Sequence, residues 1–101
     1  MPKLFEYLGI MILFYSNEHE PIHVHGKYQE FESKAEFIIK NGRIIKINIL
    51  ETKGKEPLPN TKLKEFKKFV SVFKEDIVQK WVDYFVYHKD VSCIKIEGKV
   101  K

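Results

Sequence analysis

The chain has 101 residues, of which 44% are hydrophobic and 32% charged, the size and composition of one globular domain with a modest core rather than of a disordered segment. Its net charge of +4 is local, since residues 1–59 carry eight basic and eight acidic side chains whereas residues 61–74 hold five lysines against Glu65 alone. A single cysteine, Cys93, excludes an intrachain disulfide and fits a reducing cytoplasm.

Residues 9–16, reading GIMILFYS, are apolar on both faces, as expected of a central strand covered on both sides. The apolar run 8–15 is far shorter than the roughly 20 residues of a membrane helix, and it lacks a small-residue cleavage site, so neither a membrane span nor a signal peptide is expected. After Pro21, residues 22–28 form a short strand candidate in which Ile22 and Val24 point to the core and His23, His25 and Lys27 point the other way. Residues 31–39 alternate, with Phe31, Ala35, Phe37 and Ile39 on one face and Glu32, Lys34 and Glu36 on the other. Asn41-Gly42 follows, the dipeptide suited to a tight hairpin whose two central residues both need positive φ. Residues 43–50 then return with Ile45, Ile47 and Ile49 inward and Lys46 and Asn48 outward.

Two prolines and a glycine make residues 51–60 a loop, with Asn60 or Thr61 as the helix N-cap. Leu63, Phe66, Val70, Phe73, Ile77, Trp81 and Phe85 step by three or four, so residues 61–88 are helical with one buried stripe. A straight helix of that length would run about 42 Å, more than the roughly 30 Å width of a small domain, and a break is expected near Ser71–Lys74. Helices over 61–72 and 74–88 result, with Glu75 and Asp76 opening the second and His88 closing it, each suited to the helix dipole. Residues 92–97 alternate and add an edge strand. The expected fold is α+β, one domain over residues 1–101, an antiparallel β-sheet with two α-helices packed on one face.

Three of the four histidines, His19, His23 and His25, fall within seven positions beside Glu18 and Glu20. Three readings of this cluster stand open. The imidazoles can be polar residues satisfied by hydrogen bonds. They can hold a divalent ion such as zinc, His23 and His25 converging from one strand face with His19 or a flanking glutamate as third ligand. They can also work as an acid–base pair on a phosphodiester, one taking a proton from a ribose hydroxyl and the other giving one to the leaving oxygen, with Lys27 stabilising charge on the phosphate. Outward side chains on a strand contribute little to a core, so truncating His23 or His25 is expected to be nearly neutral for folding. Lys64, Lys67, Lys68 and Lys74 lie opposite the apolar helical stripe, either as a solvated face or as a surface for an anion such as RNA.

The same residues resemble a family of small bacterial proteins, domain of unknown function 4160 (DUF4160). Its hallmark is an acidic or Asn-like residue, then His-x-Pro-Pro-His-Phe-His and a Tyr three residues on. Here it stands as Glu18-His19-Glu20-Pro21-Ile22-His23-Val24-His25 with Tyr28 in register. Ile22 replaces the second proline and Val24 the aromatic residue, while all three histidines are intact. The resemblance extends over the aromatic and Gly-Ile strand from Phe5 to Ile12, over Leu58-Pro59, and over Lys74-Glu75-Asp76 followed by Trp81. It implies the toxin partner of a toxin–antitoxin gene pair, with a small antitoxin-like companion protein. On that reading the protein is a ribonuclease-like toxin, with His23 and His25 as acid–base pair, Lys27 and Tyr28 at the phosphate and His19 orienting the site. The alternative is a non-catalytic metal-binding or protein-binding module, with a homodimer among the arrangements left open.

Overall fold

A computed structural model describes residues 2–15 and 21–100. The strands are β1 (Lys3–Tyr7), β2 (Ile10–Leu13), β3 (His23–Tyr28), β4 (Phe31–Lys40), β5 (Arg43–Glu51) and β6 (Ile94–Ile96). Between β5 and β6 lie one helix, α1 (Asn60–Trp81), and a π-helical turn, Val82–Val86. All six strands form one sheet in the order β5-β4-β3-β2-β1-β6. Neighbours run antiparallel except β6, which lies parallel to β1. The sheet is therefore mixed at one edge rather than wholly antiparallel.

The expected strand 9–16 is two things: β2, central as predicted, and the second arm of a hairpin whose first arm, β1, the alternation does not announce. Leu8 and Gly9 take φ of 50° and 82° and close a two-residue turn between Tyr7 and Ile10. Both central positions need positive φ, which leucine adopts only at a cost, so Leu-Gly does not read as a turn. The Asn41-Gly42 hairpin forms as expected, with φ of 53° and 76°. Its register shifts once: Ile38 pairs with Lys46 but Ile39 pairs with Ile44, which leaves Ile45 as the extra residue of a bulge. Ile45 is consequently 58% exposed, and Ile44 packs against the core in its place.

One helix, not two, covers the sheet. It is bent at Phe73, whose φ of −100° and ψ of 15° are not helical, within the stretch where a break was expected. The chain does not separate there, because the bend alone keeps Phe69, Phe73 and Ile77 on the sheet: the rings of Phe69 and Phe73 stack at 4.4 Å and Phe69 meets Phe5 and Tyr7. At 22 residues a helix of this kind spans about 33 Å, and the molecule measures 33 Å along its longest axis. The N-cap is Pro59 with no side-chain cap hydrogen bond, so neither Asn60 nor Thr61 caps. His88 follows Tyr87, the C-cap of the π-helical turn, exposed and at φ 56°, the left-handed conformation that commonly ends a helix, with the Lys89 N–H bonded back to the Asp83 carbonyl at 2.8 Å.

The helix-covered face carries Phe5, Tyr7, Ile12, Val24, Ala35 and Phe37, all buried. Gly26 lets α1 approach β3: a Cβ there would stand 2.6 Å from the Phe66 ring. No helix among the described residues is long and apolar enough to cross a membrane.

Candidate functional site

Strand pairing decides what the second sheet face presents. Tyr28 pairs with Phe31 across a two-residue turn, which sets Lys27 opposite Glu32, His25 opposite Lys34 and His23 opposite Glu36. Leu13 of β2 pairs with His25 from the other side. Directly paired residues share a face, so His23, His25 and Lys27 stand together with Glu32, Lys34 and Glu36, on the face opposite the one where Gly26 meets Phe66 of α1. That much agrees with the alternation. The exposure does not: His25 is only 4% exposed and Glu32 is fully buried.

Glu32 is diagonal to His25 and accepts on both oxygens. The Tyr15 hydroxyl donates to Oε1 at 2.8 Å, and His25 Nδ1 lies 3.1 Å from Oε2. A buried carboxylate persists where donors replace its water, and here two side chains do so. The Tyr15 ring packs edge-on against the His25 imidazole, centroids 4.4 Å apart, which fixes the imidazole plane as well as its hydrogen bond.

His23, partly exposed at the start of β3, continues the chain of rings. Its centroid lies 5.2 Å from that of His25 and 5.4 Å from that of Trp81, the last residue of α1. Trp81 in turn packs on Phe14 and Phe85, so it is core as its spacing implies and also one wall beside His23. His23 Nδ1 lies 2.9 Å from the carbonyl oxygen of Pro21. A carbonyl can only accept, so Nδ1 carries the proton. With the Nδ1 of both histidines committed as donors, proton transfer or metal ligation by either would fall to Nε2.

The other expected site residues are dispersed. His19, with Glu18 and Glu20, lies outside the described residues. Tyr28 points to the helix side, under the Lys62 ammonium at 4.9 Å, and is not on the histidine face with Lys27. Lys64, Lys67 and Lys68 are exposed on α1 and Lys74 is partly buried; Lys67 and Lys74 face β5 across a groove that no histidine lines. Among the described residues no group of three His, Cys, Asp or Glu side chains is placed to hold a metal ion.

Sequence reasoning missed Tyr15 and Glu32. Glu32 reads as one of three outward acids and bases on β4, and Tyr15 as part of an apolar run. The signal was in the short gap: a two-residue turn at Gln29-Glu30 would itself have set Glu32 diagonal to His25.

The family model described as domain of unknown function, DUF4160, matches residues 9–82. The chain belongs to that family, and the match spans the histidine strand, the hairpin and α1. No curated protein and no solved structure matches the chain.

Proposed function

We propose that this DUF4160 protein is the toxin-like member of a toxin–antitoxin pair and acts on RNA through His23 and His25. The observation that carries the reading is the Glu32 carboxylate on His25 Nδ1 with the second imidazole 5.2 Å away. A carboxylate in that position fixes the tautomer and stabilises the imidazolium that forms when Nε2 takes a proton, the arrangement of an oriented general base. His25 would take the proton from the ribose 2′-hydroxyl. The alkoxide attacks the adjacent phosphorus, and His23, holding a proton on each nitrogen, gives the Nε2 proton to the departing 5′-oxygen. Lys27 and Lys34, both partly exposed on the same face, supply positive charge for the phosphate. Tyr28 has no part in this step.

The near-complete burial of His25 and Glu32 favours a second reading, a non-catalytic module in which Tyr15, Glu32 and His25 are a structural hydrogen-bond network. Expression in bacterial cells separates the two. The first reading expects wild-type protein to arrest growth and folded His23→Ala to be harmless. Absence of any growth effect from well-expressed, folded wild-type protein would leave the structural network as the better account.

A further inference from the structure

At the far edge of the sheet from β6, β5 runs nine residues with no strand beyond it among the described residues. Every second residue of an edge strand turns its N–H and C=O outward, a template for another strand. Natural sheets usually blunt such an edge by covering it or keeping it short. β5 is neither covered nor short, and only the bulge at Ile45 and the Arg43 and Lys46 side chains interrupt it. An open groove of about 750 Å³ runs beside it, floored by Ile44, Ile47 and Ile49 and banked by Lys67, Ser71 and Lys74 of α1. A second hollow, sharing Ile44 and Lys74, extends it towards Arg43 at the hairpin turn. Ile45 and Leu50 add exposed apolar surface along the same strand.

We propose that this edge is a docking site for an extended segment of a partner protein, one whose helix-facing residues, every second in the segment, are in turn apolar and acidic, and which adds to β5 as a seventh strand. The backbone supplies hydrogen bonds that any sequence could use, so selectivity rests on what lines the groove. Arg43, Lys46, Lys67 and Lys74 line the two hollows against a single acid, Glu75. Every second side chain of an added strand falls on the helix side, and when these are in turn apolar and acidic, the apolar groups meet Ile47 and Ile49 and the carboxylates reach Lys67 and Lys74. A second copy of the chain would bring its own lysines to this rim and leave those of α1 unpaired. A nucleic acid would find positive charge here but an isoleucine floor in place of the aromatic platforms on which bases stack. The site is independent of the histidine cluster, which lies on the opposite face.

The test uses end-blocked ten-residue peptides in which valine and glutamate take turns at every second position with threonine between them, matched peptides with lysine in place of glutamate, and oligouridylate, each titrated against the full chain, with amide exchange read along β5. The valine–glutamate peptide should bind and slow exchange at residues 43–51, the valine–lysine peptide should not bind, and Lys67→Glu with Lys74→Glu should weaken binding about tenfold or more. Lys67 is exposed and Lys74 partly buried at the groove rim, and an unchanged melting temperature would show the variant folded. No binding of the acidic peptide, protection outside β5, or binding unaffected by the double reversal would overturn the proposal. So would oligouridylate binding that the double reversal abolishes, or a dimer in which β5 amides are protected without peptide.

Discussion

Glu32 and His25, seven residues apart in the chain, are joined Oε2 to Nδ1 at 3.1 Å with side-chain exposures of 0% and 6%. Neither side chain can lose the other and recover water. His25→Ala should therefore destabilise the fold by about 1–3 kcal/mol, the usual cost of stranding a buried acceptor. His23→Ala, at the partly exposed end of the cluster, should cost about 1 kcal/mol or less. Thermal or denaturant unfolding of the two variants checks the ordering. The near-neutrality that alternation implies for both histidines holds, on this geometry, for His23 alone.

Tyr15→Phe removes one of the two donors to Glu32 while keeping the ring on His25. The expected cost is about 0.5–1.5 kcal/mol. Combined with His25→Ala the loss should depart from additivity, because both changes act on one carboxylate. A double-mutant cycle by urea unfolding measures this, and strict additivity would mean that the two bonds are energetically separate.

Gly26→Ala places a methyl group 2.6 Å from the Phe66 ring. Overpacking of this kind costs about 1–3 kcal/mol. Phe66→Leu should relieve part of it, so the double variant should be more stable than the sum of the single effects predicts. Were Gly26→Ala neutral, α1 could not sit as close to β3 as described.

Ile45 and Ile47 test the bulge in β5. Ile45→Thr, at 58% exposure, should change stability by no more than about 0.5 kcal/mol. Ile47→Thr, packed against the core, should cost clearly more. Equal costs would restore the unbroken alternation that the sequence suggests.

The features legible in the sequence are those where local chemistry and tertiary packing agree. Asn41-Gly42 wants positive φ and has it, and the apolar stripe from Leu63 to Trp81 is the buried side of α1. The bend was legible from length alone, since a straight helix through Phe85 would overrun the sheet. The features that were not legible depend on partners distant in the chain. Leu8 is held at positive φ because β1 and β2 pair on either side of it, a tertiary compensation that no dipeptide preference encodes. Ile45 is ejected by a register shift, and alternation carries no information about bulges. Glu32 alternates like a surface residue and becomes a buried one because Tyr15 and His25 close over it. The histidine face was thus placed correctly, while its solvent exposure and its carboxylate were not.

The most direct test of the central claim is cleavage of a short oligoribonucleotide by purified protein, beside the same oligonucleotide carrying 2′-deoxyribose at every position. A histidine pair that works through the ribose hydroxyl should cleave the first, leave a 2′,3′-cyclic phosphate, and spare the second. His23→Ala should abolish cleavage while its melting temperature stays close to that of the wild type. Folded wild-type protein that leaves the oligoribonucleotide intact, or a His23→Ala variant that cleaves it as fast, would contradict the claim.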